Sequence, residues 1–569
     1  MLHRLLAALT APVLLAACAT GPLAEQTAIA QGVVEAADPR AAEAGRSILA
    51  EGGSATDAAI AVMLALTVVE PQSSGIGGGG FAVLGLPDGF VTTFDGRETA
   101  PAAAGPDWFL NPDGTPQSSR DVVRTGLSVG VPGNIAMAAK MHARYGRLPW
   151  AALFAPAIAL ADEGFIVNPR LHDSLEGMIE RAGLAPEMRA IFYQADGSPI
   201  PVGSRIRRPE LAETFRALAA QGPGAMYGEE AALALASHIA ANTPGSATMQ
   251  ADDITGYVAR ERPATCGTYR LYRICGMGPP SSGAIAVVQI LGQLERFDLA
   301  ALGPQSLTAW HLFLQSQLLA YADRELYVGD PDFVSVPVEG LTETGYLAQR
   351  ALLIEPGKAL GTYPAGTPAG ALARADGDEP VESGTTHFVA VDNTGAMVSY
   401  TSTVEGAFGS GLQFGGYHLN NELTDFSFSP VRDGRPVANS VAGSKRPRSS
   451  MSPMLVWDPQ GQPFMVIGGA GGPFIPVQTA RTLMGVIDFG LPLKEAMGLP
   501  LVMGFGTGLY VESDSWLAGE ETAFRQLGYE RVRIGPQPFG SVGQVGAILQ
   551  DGVWVSAVDP RFDGKLSAP

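Results

Sequence analysis

Apolar residues recur at helical spacing through AAEAGRSILAEGGSATDAAIAVMLALTVVEP, residues 41–71, and Gly52 and Gly53 interrupt the pattern. The pattern predicts two helices separated by the two glycines. Ser54 is followed three residues later by Asp57, which is the capping-box signature for the start of the second helix. From Phe81 the spacing changes, because FAVLGLPDGFVTTFDG alternates on both sides of a Pro-Asp-Gly turn. That alternation predicts two antiparallel strands.

Helical spacing returns in PWAALFAPAIALADEGF, residues 149–165, and again from Ser306 to Tyr327. The stretch from Gly357 to Gly384 is rich in Pro, Gly and Ala and has no apolar periodicity, which indicates an exposed connection and the best candidate boundary. Short strands and glycine turns dominate after it. Alternating blocks of helix and antiparallel hairpin predict stacked layers of helices and sheets.

The composition is that of a globular protein, with 46% hydrophobic residues in 569. The formal net charge of −19 would repel a phosphate backbone or an anionic membrane surface, which argues against nucleic acid as a partner. The one basic run, KRPRSS from Lys445, is interpreted as a solvated loop or a local anion site.

The N-terminus has the form of an export signal, because His3 and Arg4 precede an apolar run that is too short to span a bilayer. Its LAAC end resembles a bacterial lipoprotein signal. That resemblance implies a signal over residues 1–17, a lipid on Cys18, and a periplasmic protein that touches the membrane only through its anchor. A plain signal peptide cut nearby is the alternative. No later segment is apolar enough to cross a membrane.

Cys266 and Cys275 would then lie in an oxidising compartment. If CGTYRLYRIC folds as a hairpin about Arg270 and Leu271, the two cysteines face each other and can form a disulfide. If it is one continuous strand, they lie about 30 Å apart, and both possibilities remain open. The chain has only seven histidines and no CxxC or HExxH motif, so we expect no metal and no cofactor.

Two glycine motifs resemble known sites but have the wrong context. GIGGGG, residues 75–80, satisfies GxGxxG, yet it follows a predicted helix and precedes a strand, the reverse of the dinucleotide-binding order. GLSVG, residues 126–130, satisfies GxSxG, but Pro132 follows at once where a nucleophile elbow needs a helix. We therefore expect close backbone packing at the first motif and a tight turn at the second.

THFVAVD, NTG and AMVSYTSTV predict a hairpin in which Gly395 occupies the left-handed position of the turn. A turn centred on Thr394 places Thr385 across from Thr403, with Thr401 and Glu405 on the same face and His387 beside them. The ordinary interpretation is a Thr/Thr cross-strand pair, since threonine is a good strand former.

The residue before Thr385 favours chemistry instead. A threonine hydroxyl is a weak nucleophile until a base lies beside it, and its own α-amine can be that base once it is freed. Cleavage after Gly384 would free the amine. Glycine leaves the Gly384 carbonyl open to attack by the Thr385 hydroxyl and tolerates a strained backbone.

Several motifs, in order along nearly the whole mature chain, are similar to those of the gamma-glutamyltransferase (gamma-glutamyltranspeptidase) family of N-terminal nucleophile hydrolases. They are ILAEGGSATDAAIA, VVEPQSSGIGGGGF, FDGRETAP, SVGVPG, YGRLPW, PPSSG, SGTTHF, FGSG, LNNELTDFS, KRPRSSMSP and GGAGG. The resemblance implies an α+β fold, a four-layer αββα sandwich, with two subunits cut from one precursor. The large subunit would be residues 18–384 and the small catalytic subunit residues 385–569, associated as a heterodimer.

The resemblance also implies roles for residues that match the family's motifs. Thr385 is similar to the nucleophile freed by self-cleavage from Gly384, and Thr403 to its hydrogen-bonding partner. The remaining matches are Gly471 and Gly472 for the oxyanion hole, Arg97, Ser449 and Ser450 for the substrate's α-carboxylate, and Glu422 and Asp425 for its α-amino group. Each has an ordinary alternative: a surface ion pair for Arg97, loop hydroxyls for the serines, a turn for the glycines, and a helix N-cap for Asp425.

Two features depart from the family's pattern. Glu405 stands where glutathione-cleaving transferases usually have Asn, and a second acid should strengthen amine binding and disfavour acyl groups without an amine. The segment from Phe426 to Ser449, which would cover the pocket, is shorter than in some members, which favours hydrolysis over transfer.

The expected activity is cleavage of a γ-glutamyl amide such as glutathione, with transfer of the acyl group to water, an amine or a peptide. The alternatives are an amidase of the same fold with another acyl preference, such as a glutaryl-type acylase, and an unprocessed binding lipoprotein.

Overall fold

The computed structural model describes residues 32–245, 247–377, 384–536 and 542–566. The signal segment, Cys18 and residues 378–383 of the predicted connection lie outside the described residues. Two antiparallel sheets of six strands pack face to face, and helices cover their outer faces. This arrangement confirms the predicted four-layer αββα architecture of an α+β fold.

The strands are β1 (Val33–Ala36), β2 (Gly79–Gly85), β3 (Val91–Asp95), β4 (Phe165–Ile166), β5 (Arg205–Ile206), β6 (Arg260–Arg262), β7 (Thr265–Tyr269), β8 (Tyr272–Gly276), β9 (Gly384–Val391), β10 (Met397–Glu405), β11 (Gln413–Phe414), β12 (Tyr417–His418), β13 (Val431–Arg432), β14 (Arg435–Pro436), β15 (Met454–Trp457), β16 (Pro463–Ala470), β17 (Val502–Phe505), β18 (Gly508–Glu512), β19 (Arg531–Gly535), β20 (Gly543–Gln550) and β21 (Val553–Val558). The first large sheet has the order β1-β9-β10-β2-β3-β6 and the second has the order β21-β20-β16-β15-β8-β7.

The α-helices are α1 (Pro39–Ala50), α2 (Ala55–Val69), α3 (Ser119–Val122), α4 (Asn134–Tyr145), α5 (Ala155–Glu163), α6 (Pro169–Leu175), α7 (Ile179–Ala182), α8 (Pro186–Phe192), α9 (Pro209–Gln221), α10 (Gly224–Tyr227), α11 (Glu229–Ala241), α12 (Ala251–Thr255), α13 (Gly283–Leu294), α14 (Leu299–Leu302), α15 (Leu307–Tyr327), α16 (Val338–Thr342), α17 (Thr344–Ala351), α18 (Phe474–Ile487), α19 (Leu493–Met497) and α20 (Glu521–Leu527). Short 3-10 helices cover Gly126–Ser128, Trp150–Phe154, Glu422–Asp425, Trp516–Glu520 and Pro560–Phe562.

Three apolar layers hold the sandwich together. One lies between α1, α2 and the outer face of the first sheet, and another between the second sheet and α13, α15 and α18. The third lies between the sheets, where Phe81, Val389 and Met397 of the first pack against Leu455 and Val466 of the second. Every residue of β9 and β10 is buried, because layers of the sandwich cover both faces of the first sheet.

The predicted helix pair at the N-terminal end is confirmed, and α2 is buried along its whole length. Its capping box is formed as the sequence indicated: the Asp57 amide donates to Ser54 Oγ at 3.1 Å, and the Ser54 amide donates to Asp57 Oδ2 at 2.9 Å. Asp57 also accepts from the amides of Arg147 and Leu148 in the YGRLPW motif. This buried carboxylate therefore ties that motif to the start of α2.

The predicted threonine hairpin is confirmed as β9 and β10, with Gly395 in the left-handed region at φ 83°. His387 pairs with Thr401 and Thr386 with Ser402, which is the predicted register. At the open end the register shifts by one residue, so that Gly384 pairs with Glu405. Glu405 has a φ of 73° at this bulge. The bulge bends the end of β10, so that it lies beside the first residues of β9.

The hairpin interpretation of CGTYRLYRIC is also confirmed. Arg270 and Leu271 form a tight turn between β7 and β8, both with positive φ, and Arg270 Nε donates to Asp488 Oδ1 at 3.0 Å. Cys266 and Cys275 lie opposite each other with their Cα atoms 4.1 Å apart and form a disulfide. The alternative of one continuous strand is wrong.

The two glycine motifs have the structures expected of them. A Cβ at Gly77 or Gly78 would collide with the carbonyl oxygens of His418 and Thr403, so this segment needs glycine for close backbone packing. Ser128 lies in a 3-10 turn and its hydroxyl donates to the carbonyls of Val123 and Thr125, both at 2.9 Å. No nucleophile elbow is formed there.

The interpretation of KRPRSS as a solvated loop is wrong. Lys445, Arg446 and Arg448 are all buried, because each side chain finds acceptors inside the protein. Lys445 Nζ donates to the carbonyls of Ala438 and Ser440 at 2.8 and 2.6 Å.

Within the described ranges, no helix combines the length and apolar character needed to cross a membrane. Among the same residues, no three His, Cys, Asp or Glu side chains surround a common point in the way that a metal-binding group would.

Candidate active site

At the open end of the β9-β10 hairpin, two hydroxyl groups donate hydrogen bonds to one carbonyl oxygen. Thr385 Oγ1 donates to the Gly384 oxygen at 2.5 Å, and Thr403 Oγ1 donates to the same oxygen at 2.6 Å. The two hydroxyl oxygens are 3.3 Å apart. The Glu405 amide donates to Thr403 Oγ1 at 2.8 Å, which leaves the Thr403 proton for the Gly384 carbonyl. Both threonines are buried, with 5% and 2% of their surfaces exposed, so these contacts are shielded from water.

Position 384 requires glycine, because the surrounding backbone leaves no space for a side chain. A Cβ built there would lie 2.5 Å from the Glu405 oxygen and 2.9 Å from the Gly406 carbonyl carbon. The bulge in β10 brings this backbone so close to Gly384. The glycine that the sequence marked as a cleavage position therefore also satisfies a packing requirement.

Gly471 and Gly472 form the turn between β16 and α18. Both have positive φ, 121° and 55°, which favours glycine. The amides of Phe474 and Ile475 donate back to their carbonyls at 3.1 and 3.0 Å, so the turn leads directly into the first turn of α18. The N-terminus of a helix suits developing negative charge, because its dipole and its backbone amides favour an anion.

The nucleophile candidate and this turn belong to different sheets, and His387 connects them. Its ring lies against Gly468 of β16, three residues before Gly471. His387 Nδ1 is 2.8 Å from Thr401 Oγ1. Burial lowers the pKa of His387 to about 3, so the ring is neutral and packs between the sheets as a polar spacer.

Arg97 lies at the centre of a buried charge cluster, so its interpretation as a surface ion pair is wrong. Its guanidinium pairs with Glu422 and, at 2.5 Å, with Asp425 Oδ2. It also donates to the carbonyls of Pro447 and Arg448 at 3.2 and 2.8 Å. The predicted residues Arg97, Glu422 and Asp425 are thus brought together in one site.

The cluster contains more carboxylates than its arginine can balance. Burial raises the pKa of Glu98 to about 8, although Arg97 opposes the shift. Burial also raises the pKa of Glu422 well above its usual range, and the nearby carboxylates of Glu98 and Glu405 add to this effect. Such a cluster favours a bound cation, because an ammonium group would relieve the repulsion among the acids.

Ser449 and Ser450 lie at the edge of this cluster and connect it to α15. Ser450 Oγ accepts from Arg324 at 2.8 Å, and Arg324 Nε donates to Ser282 Oγ, also at 2.8 Å. The Ser282 hydroxyl in turn donates to the Ser449 carbonyl at 2.7 Å. The PPSSG motif therefore supports the RSSMSP motif, a connection that spacing in the sequence could not indicate.

Glu405 is buried beside Asn421 and accepts a hydrogen bond from its amide nitrogen. The oxygen of the same amide accepts from the Gly406 amide at 2.9 Å and from Arg181 at 3.0 Å. Burial lowers the pKa of Arg181, and Glu405 partly offsets this shift.

Four of these groups were missed as site residues: Glu98, Arg181, Arg324 and Asn421. Glu98 and Asn421 lie inside the motifs FDGRETAP and LNNELTDFS. Because they are adjacent in sequence to Arg97 and Glu422, they could have been predicted as site residues.

The comparisons with known proteins identify the family. The sequence profile described as Gamma-glutamyltranspeptidase matches residues 41–568. The chain belongs to the gamma-glutamyltranspeptidase family.

Among individual relatives, the chain is 37% identical over 482 residues to "Glutathione hydrolase proenzyme" of Escherichia coli (strain K12), covering 83% of this chain and 80% of that protein. It is 34% identical over 541 residues to "Acylase ACY 1 proenzyme" of Pseudomonas sp. (strain SE83), covering 94% and 93%.

The fold is similar to that of the solved cephalosporin acylase from Bacillus halodurans. The TM-score is 0.80 at 26% identity, and the match covers 93% of this chain and 94% of the other. The family resemblance expected from the sequence motifs is therefore confirmed, and so is the fold that it implied.

Proposed function

We propose that the chain is a self-processing γ-glutamyl hydrolase and transferase. It cuts the bond between Gly384 and Thr385, and residues 18–384 and 385–569 remain associated as large and small subunits. The mature enzyme then takes the γ-glutamyl group from glutathione or a related amide onto Thr385 Oγ1 and passes it to water or to an amine.

Maturation begins with attack of the Thr385 hydroxyl on the Gly384 carbonyl carbon. The C–N bond breaks, the Thr385 nitrogen takes the proton, and an ester joins Gly384 to Thr385 Oγ1. Thr403 donates a hydrogen bond to the carbonyl oxygen as negative charge develops on it. Water hydrolyses the ester and leaves a Gly384 carboxylate and a free Thr385 amine.

In turnover the freed α-amine of Thr385 is the general base that takes the proton from its own hydroxyl. Thr385 Oγ1 attacks the γ-carbonyl carbon of the substrate, and the amides of Gly471 and Gly472 stabilise the oxyanion. The amide bond breaks, the leaving amine takes the proton, and the acyl group stays on Thr385 as an ester. Attack by water or an amine on this ester then restores the hydroxyl.

The charge cluster holds the zwitterionic end of the γ-glutamyl group. Arg97 binds the α-carboxylate with help from Ser449 and Ser450, since a guanidinium forms paired hydrogen bonds with a carboxylate. Asp425, Glu422 and Glu405 bind the α-ammonium. The existing pair between Arg97 and Asp425 occupies the same positions, so an incoming zwitterion exchanges one set of ion pairs for another without adding net charge.

The observation that carries this proposal is the convergence of the Thr385 and Thr403 hydroxyls on the Gly384 carbonyl. The test is expression of the full chain, a denaturing gel, and N-terminal sequencing of the smaller band. We expect two bands, with the smaller beginning at Thr385. Thr385→Ala should stay whole and inactive, whereas Thr385→Ser keeps the hydroxyl and should still mature. A wild-type chain that stays whole contradicts the proposal and supports an unprocessed binding protein.

The second candidate is a glutaryl-type acylase, which the likeness to acylases favours. Comparing kcat/KM for γ-glutamyl and glutaryl anilides separates the two functions. Preference for the glutaryl compound would support the acylase. The acidic cluster beside Arg97 supports the γ-glutamyl preference, because it would repel an acyl group that carries a carboxylate and no amine.

We also propose that the protein is exported to the periplasm and anchored through a lipid on Cys18. The apolar segment of residues 1–17 and its LAAC end support this. Metabolic labelling with radioactive palmitate should mark the wild type and leave Cys18→Ser unlabelled. Release of unlabelled wild type into the soluble periplasm would support the plain signal peptide instead.

A further inference from the structure

A cavity of about 600 Å³ lies beside the turn formed by Gly471 and Gly472. Its wall includes Pro473, which directly follows that turn, and residues from one face of α15. The side chains that matter most for its chemistry are Tyr321, Ala322, Tyr363, Met503 and Phe505. The roles assigned above do not use this cavity.

Helix α15 connects the cavity to the proposed site at two points. The Tyr321 hydroxyl donates to the Pro473 carbonyl. Pro473 directly follows Gly471 and Gly472, whose turn is the proposed oxyanion hole and is called the oxyanion turn below. One helical turn further on, Arg324 donates to Ser450 Oγ at 2.8 Å, in the proposed α-carboxylate subsite. The same helix therefore borders both the cavity and the acyl-binding residues.

The cavity is separate from the groups that would hold the acyl part of the substrate. Arg97, Glu405, Glu422 and Asp425 do not line it. If the γ-carboxyamide carbon lies at the turn of Gly471 and Gly472 and the zwitterion lies on those four residues, the nitrogen side of the amide would extend towards Pro473, which lines the cavity.

The lining identifies the kind of group that fits. Aromatic and aliphatic side chains from α15, β17 and the segment around Tyr363 dominate it, and among the described residues that line it Glu325 and Asp376 carry carboxylates. Phe505 packs under the guanidinium groups of Arg531 and Arg533, with centroid distances of 5.9 and 5.5 Å, which fixes the ring in the wall. A mostly apolar lining of this size suits an aromatic or branched aliphatic group rather than a small polar one.

We propose that this cavity is the subsite for the leaving amine and that it selects amides of aromatic and other apolar amines. This proposal rests on the proposed function. The amide C–N bond breaks with the acyl group retained on Thr385, and the amine takes the proton and leaves through the cavity. By microscopic reversibility, an acceptor amine enters the same cavity when it attacks the acyl-enzyme.

The test fills the cavity and compares two substrates that share one acyl group. Ala322→Phe places a ring in the space, and its kcat/KM is measured with γ-glutamyl anilide and with γ-glutamyl methylamide. Each substrate is compared with itself in wild type, so intrinsic leaving-group reactivity cancels. We expect kcat/KM to fall at least tenfold for the anilide and to change less than twofold for the methylamide. Ala348→Phe, on the surface of α17 away from this cavity, is the matched control and should change neither value.

A second variant keeps the test decisive if Ala322→Phe does not mature into two bands. Phe505→Ala removes part of the wall and should raise KM both for γ-glutamyl anilide as substrate and for aniline as an acceptor, while kcat/KM for γ-glutamyl methylamide changes less than twofold. Equal changes with the anilide and the methylamide, or none with either, would overturn the subsite alone. A mature wild type that cleaves neither substrate would overturn the proposed function and this inference with it.

Discussion

The imidazole of His387 lies directly over Gly468, across the interface between the two sheets. A Cβ on Gly468 would be 2.6 Å from His387 Nδ1 and 2.7 Å from Nε2, so only glycine leaves room for the ring. Ser399, on the strand beside His387, adds a second polar contact, because its hydroxyl donates to the Ile467 carbonyl at 3.1 Å. These contacts hold β9, which carries Thr385, and the neighbouring β10 against β16, which leads to Gly471.

Gly468→Ala should therefore impair chemistry more than substrate binding. The added methyl group must push β16 away from His387, and a shift of the oxyanion turn by a fraction of an ångström weakens transition-state contacts. We expect kcat for a γ-glutamyl anilide to fall by about 100-fold, with KM changed less than threefold. Gly519→Ala, where a Cβ has open space, is the control. Wild-type kcat in Gly468→Ala would show that the contact does not set the geometry.

Thr403 should matter for maturation through its hydroxyl alone. Its Oγ1 accepts from the Glu405 amide and donates to the Gly384 carbonyl, so both contacts disappear together in Thr403→Val. We expect this variant to mature about 100-fold more slowly, since removing one oxyanion donor costs about that factor. Thr403→Ser keeps the hydroxyl and should mature at close to the wild-type rate. A time course of the two bands on a denaturing gel measures both, and equal rates in Val and Ser variants would contradict the assigned role.

The sequence predicted the parts of this site that depend on local pattern. Strand alternation and the position of Gly395 determine the hairpin register, and that register alone places Thr403 near Thr385. Family motifs supplied Arg97, Glu422 and Asp425, which the structure brings together. The hairpin register depends on residues that are close together in the sequence, and the other three residues were found by direct motif matches.

What could not be predicted depends on packing between distant segments. The bulge that pairs Glu405 with Gly384 arises where β10 leaves the sheet, and alternation alone places Glu405 one position away. The burial of Lys445, Arg446 and Arg448 depends on carbonyl and carboxylate partners from other segments, so a basic run that is usually solvated became part of the core. The hairpin turn at Arg270 and Leu271 has poor local turn chemistry, and Asp488 and Glu295 compensate by binding Arg270.

Glu405 should control the choice of acyl group. It lies among the carboxylates that would face the α-ammonium, and its charge raises the pKa of Glu422. Glu405→Gln removes that charge with little change in shape, so the penalty for an acyl group without an amine should shrink. We expect the ratio of kcat/KM for γ-glutamyl over glutaryl anilide to fall about tenfold, as expected for the loss of one partly screened charge interaction. An unchanged ratio would place the determinant elsewhere in the cluster. Glu405→Asn, the residue common in glutathione-cleaving relatives, should behave in the same way.

The segment from Phe426 to Ser449, which the sequence predicts to be a short cover over the pocket, should favour water over amines as the acceptor. Its hairpin of β13 and β14 is exposed, whereas Phe426, Phe428 and Val437 are buried. With a γ-glutamyl anilide and a dipeptide acceptor at millimolar concentration, we expect free glutamate to exceed the γ-glutamyl dipeptide product. Chromatography of the two products measures the ratio. Dominant transfer would show that a short cover does not admit competing water.

Glu98 should make the protein less stable as the pH rises. Its pKa in the folded protein is about 8 against an ordinary value of 4.5, because burial raises it and the attraction of Arg97 offsets only part of that effect. Between these two values the unfolded chain releases the proton while the folded chain keeps it, so the free energy of unfolding falls with increasing pH by at most about 1.4 kcal/mol per pH unit. Below pH 4.5 both forms are protonated and no loss occurs; above pH 8 the loss is complete.

Glu98→Gln keeps the shape and removes this titration. Its melting temperature should match that of wild type near pH 5 and exceed it by a widening margin up to pH 8. Measuring the difference between the two proteins cancels the titration of groups that both share. Glu43→Gln, at an exposed position on α1, controls for the loss of one negative charge. Melting curves of Glu98→Gln that stay parallel to wild type from pH 5 to 8 would show that the Glu98 carboxyl is already ionised in the folded protein at neutral pH, in which case Arg97, and not burial, dominates its environment.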